Sequence, residues 1–209
     1  MKKKNRLPLF EDYDSGKQSA DVWGIIKGKL RGMVDPGDAT INPETGFVDV
    51  NGGVFLYPPR VTESIPVKFG NVEYNFVCHK MGLKSLRNSP MKVGGHFYCE
   101  DNQLSSLVGS PYEVGLDFNC SNNPLSQVQG MPKRIGGDFI CVVEGVNPPF
   151  TAVRDNIVIE GDFVCHDPAS LKLSPSIVVK GEILNPKQKH AKNWGHVAAN
   201  NVYGDRYPL

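Results

Sequence analysis

All five cysteines of this 209-residue chain stand two residues after a phenylalanine, and the pair returns at a nearly constant interval. Cys78, Cys99, Cys120 and Cys141 are 21 residues apart, Cys165 follows after 24, and Phe76, Phe97, Phe118, Phe139 and Phe163 precede them. Extended outward, the register places Phe55 and Tyr57 in the two slots one repeat earlier, and Ile183 and Asn185 one repeat later. Other columns keep step. Val72, Val93, Val114, Ile135, Ile159 and Val179 lie six residues before the cysteine slot. Gly53, Gly95, Gly137, Gly161 and Gly181 lie four before it, with Tyr74 and Leu116 as exceptions. Leu83, Leu104, Leu125 and Val146 lie five after it, and Ile65, Leu86, Leu107 and Val128 eight after it. A unit this short cannot bury its own apolar face, so successive units must stack. The pattern predicts a β-rich solenoid of about seven parallel-strand rungs over residues 50–186.

Residues two apart on a strand share a face, so each Phe and Cys points the same way. Stacking then buries both columns against the Leu and Val columns of the return segments. The cysteines are expected to be reduced core residues. Thiols aligned at ~4.8 Å intervals lie on a line and cannot converge on one ion, and the spacing is not that of a zinc site. Neighbouring rungs fall near disulfide distance, but the count is odd, and Tyr57 and Asn185 replace Cys at the ends as a packing column tolerates. No metal or cofactor is expected.

The best repeats read F-x-C-x-x-N-x-L-x-x-L/V-x-G-x-P-x-x-V/I. This resembles the leucine-rich repeat, L-x-L-x-x-N-x-L, in the short, glycine-rich form found in large tailed bacteriophages. The resemblance covers about residues 50–186 and implies a stacked solenoid whose asparagines satisfy backbone groups between turns. That asparagine is present only as Asn102 and Asn123, with Met81, Glu144 and Pro168 elsewhere. It further implies a phage protein of the host-cell cytoplasm or the virion.

An open stack needs caps. Residues 1–49 read as an N-terminal arm, a cap helix over "SADVWGIIKGKLRG" with Ser19 as N-cap and Gly32 as stop, and a hairpin turning at Pro43–Gly46. Its opening, "NRLPLFEDYDSG", reads equally as a docking arm or a disordered segment. Residues 187–209 form a basic-aromatic tail with four basic and one acidic side chain, expected to pack on its own domain or on a neighbouring subunit. Net charge is only +1, so a nucleic-acid partner is not expected. No apolar run is long enough for a membrane span, and the start lacks the apolar core of a secretory signal.

Function is expected on the outward strand positions. The column one residue before the cysteine slot reads Leu56, Val77, Tyr98, Asn119, Ile140, Val164, Leu184 and is largely apolar. The column three before it reads Val54, Asn75, His96, Asp117, Asp138, Asp162, Glu182 and turns acidic. An apolar stripe beside a charged one marks a protein-binding surface, unless terminal segments fold back over it. Tyr98, Asn119, Ile140, Val164, Asp117, Asp138 and Asp162 are the candidate partner-binding residues. The expectation is a non-enzymatic interaction module that assembles into a larger protein complex through its strand face and terminal arms. Two alternatives stand beside it. One is an early phage protein that binds and inhibits a host protein. The other is a glycan-binding or glycan-cleaving solenoid using Asp117 and Asp138, which adjacent rungs bring ~5 Å apart. No G-x-S-x-G, P-loop or H-E-x-x-H motif is present.

Overall fold

The computed structural model describes Gly28 and residues 38–56, 63–145, 147–150 and 156–197, the side chains of 193–197 excepted. The chain winds into a parallel-strand β-solenoid of about six turns. A hairpin of β1 (Ala39–Ile41) and β2 (Val48–Val50) leads into β3 (Val54–Phe55). Each following turn supplies two strands: β4 (Phe69–Val72) and β5 (Phe76–Val77), then β6 (Lys92–Val93) and β7 (Phe97–Tyr98). Next come β8 (Glu113–Val114) with β9 (Phe118–Asn119), and β10 (Arg134–Ile135) with β11 (Phe139–Cys141). The last turns hold β12 (Ile157–Ile159) with β13 (Phe163–Cys165), and β14 (Ile177–Val179) with β15 (Ile183–Leu184). Helix α1 (Pro186–Val197) follows. The cap helix read over "SADVWGIIKGKLRG" lies outside the described residues, apart from Gly28.

The strands sort into two sheets. The Phe-x-Cys strands form a seven-stranded sheet, β3 to β15, and the Val column forms a second, eight-stranded sheet that starts with the hairpin. The Val column, read from the sequence as part of the return segments, is therefore a strand ladder of its own. Its β-branched residues suit a half-buried pleated surface, and three residues at the corner separate it from the next strand.

Both sheets face one core. Phe76, Phe97, Phe118 and Phe139 stack ring on ring with centroids 5.4, 5.3 and 5.7 Å apart and planes within 7° of parallel. The five cysteines lie beside them, all buried and all free thiols. Leu83, Leu86, Leu104, Leu107, Leu125 and Val128 close the third side and are buried. Each such side chain contributes roughly 1.5–3 kcal/mol by leaving water.

That third side carries no strands, so its backbone needs other partners. Two asparagines supply them. The Asn102 Oδ1 accepts the N–H groups of Met81 and Leu83, both at 3.0 Å, and its Nδ2 donates to the carbonyls of Cys78, Cys99 and Glu100. One turn on, Asn123 Oδ1 accepts from Leu104 N–H at 3.0 Å while Nδ2 donates to Cys99, Cys120 and Ser121 carbonyls.

The register departs from the repeat pattern at the N-terminal end and keeps it at the C-terminal end. In the first turn Val54 pairs with Phe76 and Phe55 with Val77, so Val54 and Leu56 take the core slots and Phe55 does not; Tyr57 lies outside the described residues. Val54 and Leu56 are fully buried, and Leu56 leaves the outward column where the pattern placed it. The cause is a bulge: Val48 pairs with Phe69 but Val50 with Val72, which adds one residue to β4. In the 24-residue step, the longer return brings Phe150 into the core, edge-on to Phe139 at 6.1 Å and to Phe163 at 5.0 Å. Val146, assigned to the leucine column, lies outside the described residues. Ile183 keeps the Phe register against Phe163, yet it is 40% exposed because β15 ends the sheet.

Candidate interaction face

The outer face of the seven-stranded sheet carries three side-chain columns. The first, Asn75, His96, Asp117, Asp138, Asp162 and Glu182, is a hydrogen-bond ladder. Asn75 Oδ1 accepts the N–H of His96 at 2.9 Å, and His96 Nδ1 accepts the N–H of Asp117 at 3.2 Å. Asp117 Oδ1 then accepts from Asp138 N–H at 2.7 Å, Asp138 Oδ1 from Asp162 N–H at 2.8 Å, and Asp162 Oδ1 from Glu182 N–H at 2.9 Å. Each side chain from Asn75 to Asp162 thus satisfies the backbone of the turn stacked upon it.

This ladder, together with the backbone of the turn below, accounts for the glycine column. A Cβ at Gly95, Gly137, Gly161 or Gly181 would come within 3.0 Å of the Oδ1 of Asn75, Asp117, Asp138 or Asp162 respectively. Leu116 follows His96, and Tyr74 follows Gly53, neither of which presents such an oxygen. A side chain is present only where the turn below has no Asn or Asp.

His96 is the ladder's irregular rung. Its Nδ1 faces both the Asp117 N–H and, at 3.1 Å, the Asp117 Oδ2. A neutral ring serves the amide; a protonated ring serves the carboxylate. Its ring also stacks on Tyr98, with centroids 5.3 Å apart.

The middle column is Val77, Tyr98, Asn119, Ile140, Val164 and Leu184. Tyr98, Asn119 and Ile140 are half-buried, with Asn119 Oδ1 accepting the N–H of Ser121 at 3.0 Å. Val164 is only 2% exposed and Leu184 8%, so this end of the expected stripe is closed. The third column holds His79, Glu100, Ser121 and Val142. His79 Nδ1 lies 3.5 Å from Glu100 Oε1, and Ser121 Oγ accepts Val142 N–H at 3.1 Å. Burial raises the Glu100 pKa above the usual carboxylate value despite its own backbone N–H and nearby His79. Its Oε2 is buried with no hydrogen-bond partner among the described residues.

Helix α1 closes the C-terminal end of the face, packing on β13 and β15. Asn185 Oδ1 accepts from Gln188 N–H at 2.9 Å while Gln188 Oε1 accepts from Asn185 N–H at 2.8 Å, a reciprocal capping box, with Pro186 at the first helical position. Lys189 and Lys192, one turn apart, reach down to the ladder. Lys189 Nζ lies 2.5 Å from Asp138 Oδ2 and 2.8 Å from Asp162 Oδ2. Lys192 Nζ lies 2.8 Å from Asp162 Oδ1 and 3.2 Å from Glu182 Oε1. Asp162 is 3% exposed. Burial alone would raise its carboxyl, but the Glu182 N–H and the two ammonium groups outweigh it and hold the pKa at about 2.

The structure thus divides the sequence-derived candidates. Tyr98, Asn119, Ile140 and Asp117 stay together on the part of the face that α1 leaves uncovered. Asp138 is shared with Lys189, whereas Asp162 and Val164 are covered by α1 and are not solvent-facing. Packing of the tail on its own domain and fold-back of a terminal segment over this face were both among the sequence expectations; the ion pairs of Lys189 and Lys192 with Asp138 and Asp162 were not foreseen. The signal was present in "NPKQKHAK", where Asn185 and Gln188 have capping-box spacing and the lysines fall three residues apart.

Burial pushes the thiol pKa values of Cys78, Cys99 and Cys120 upward, and that of Cys165 up to about 11. Among the described residues, no group of three or more His, Cys, Asp or Glu side chains could hold a metal ion, and no helix is long and apolar enough to cross a membrane. No family model matches the chain, and no curated protein or solved structure is significantly similar to it.

Proposed function

We propose that this protein is a non-enzymatic interaction module that joins a larger protein complex by seating a protein partner on the open part of the seven-stranded face. The observation that carries this reading is the middle column. Tyr98, Asn119 and Ile140 occupy successive turns at one fixed rise, half-buried and uncovered by α1, while the same column is closed at Val164 and Leu184. A repeated rigid ledge of this kind presents aromatic, amide and aliphatic groups without reordering the backbone, which lowers the cost of binding.

The glycan-cleaving reading has less support. Asp117 and Asp138 each give an oxygen to the backbone of the next turn, and Asp138 also holds Lys189. Carboxylates committed in this way serve the stack, and a retaining glycosidase pair needs one of them free to attack.

We read the chain as a leucine-rich-repeat-like protein of the short phage type, acting in the host-cell cytoplasm or the virion. The asparagine bonds of Asn102 and Asn123 between turns support this reading. Pull-down from infected cells tests the binding role: Tyr98→Asp and Ile140→Asp should abolish capture of the partner taken by wild type, and unchanged capture rejects the face. Virion mass spectrometry separates a structural subunit, present at fixed stoichiometry, from an early protein that is absent. No glycan turnover is expected from wild type, and turnover abolished by Asp117→Asn or Asp138→Asn would favour the enzymatic reading instead.

A further inference from the structure

We infer that the open part of this face takes a basic amphipathic helix of another protein, laid beside α1 on the continuation of the same columns. The inference rests on the proposed protein-binding role and names the chemistry of the partner. Helix α1 is the template. It meets the sheet through two lysines at i and i+3, which bracket Asp138, Asp162 and Glu182, while its body covers Val164 and Leu184. The match is geometric: acids on successive turns rise by ~4.8 Å, close to the ~5–6 Å between side chains three or four residues apart on a helix.

The two columns do not stop where α1 stops. One turn on, Asp117 continues the acidic ladder beside Ile140 and Asn119, and Glu100 flanks Tyr98 from the other side. Asp117 Oδ2 faces only the His96 ring among the described side chains, a partner that carries charge only when protonated. Lys189 already reaches Asp138 at the boundary between the covered and open parts. A second helix bearing a Lys or Arg pair at i and i+3 and an apolar residue between them would repeat the α1 contacts on Asp117, Asp138 and Ile140. Charge complementarity and continuity with the α1 seat both favour this occupant.

The test uses the full-length protein and a synthetic peptide of residues 185–197 supplied in trans, with binding followed by calorimetry. The expected result is saturable binding to wild type, at least about tenfold weaker on the Asp117→Asn variant, and lost when both peptide lysines are alanine. Asn75 already fills a rung of the ladder, so Asp117→Asn keeps the Asp138 N–H satisfied, and unchanged circular dichroism verifies the fold. Absence of binding, or binding indifferent to Asp117→Asn, overturns the inference. So does binding seen only with the Lys189→Ala/Lys192→Ala protein, because the peptide would then be refilling the α1 seat. A dimer dispersed by Asp117→Asn in sedimentation also overturns it, since the occupant would be a second copy. A partner that requires Tyr98 and Ile140 but is indifferent to Asp117→Asn would leave the binding role intact while sinking the basic-helix identity.

Discussion

Asp117 and Gly137 fit together as a pair: the Asp117 Oδ1 that accepts the Asp138 N–H occupies space that a Cβ on residue 137 would need. The pairing recurs at Asn75 with Gly95, Asp138 with Gly161 and Asp162 with Gly181. Gly137→Ala should therefore destabilise the fold by about 2 kcal/mol, as forced close contacts in packed structure do. Asp117→His in the same chain, copying the His96–Leu116 arrangement, should recover part of that loss. Urea denaturation of the single and double variants reads the coupling, and simple additivity would count against the pairing.

The buried amides of Asn102 and Asn123 have a different basis, because their loss strands several backbone groups at once. Asn123→Leu nearly preserves volume but leaves the Leu104 N–H and the Cys120 carbonyl without that partner. A cost of roughly 3 kcal/mol is expected, similar to that of Asn123→Ala, despite the better packing of leucine. Thermal denaturation checks whether the two variants fall together.

The cysteine column should be silent in the native state. Cys78, Cys99 and Cys120 are buried with raised thiol pKa values, so a thiol reagent at pH 8 should leave them unmodified. Adding denaturant should release all five cysteines to the reagent. Mass spectrometry of the labelled chain counts them in each state.

The seat of α1 should be sensitive to acid. Asp162 has a folded pKa of about 2, below the ~3.9 of a free aspartate, so its contribution is complete above the unfolded value and is lost as pH falls through the folded one. That contribution is on the order of 1–2 kcal/mol, discounted because the lysine partners remain partly in water. Amide protection factors in 186–197 should fall between about pH 4 and pH 2, and Lys189→Gln/Lys192→Gln should show low protection at neutral pH.

Much of the fold is legible in the sequence because packing in a solenoid is repetitive: Phe97 above Phe76 imposes the same demand as Phe118 above Phe97. The legible part ends where the repetition does. The β4 bulge shifts Val54 and Leu56 into the core, and Phe55 still matches the phenylalanine column by type, so composition could not reveal the slip. The acidic column was legible as a surface feature, but its role was not. Asp117 and Asp138 look like an exposed charged row until their oxygens are seen on the backbone of the next turn. The covering of Asp162 and Val164 depends on where α1 lands, which is tertiary information that the capping signal at Asn185 and Gln188 does not contain.

Both proposals depend on the turns being stacked in one register, and spin-label distances measure that directly. Asn71, Lys92, Glu113, Arg134, Val158 and Val178 are successive partners along the eight-stranded sheet. Labels on cysteines introduced at Asn71 and Arg134, Asn71 and Val158, and Asn71 and Val178 should give separations of about 14, 19 and 24 Å before allowance for the linkers. The native thiols, being buried, should stay unlabelled. Three narrow distributions rising by one strand spacing per turn are the predicted result. Distances that fail to rise with each turn, or that are broad at every pair, would contradict the stacked register and both surface proposals with it.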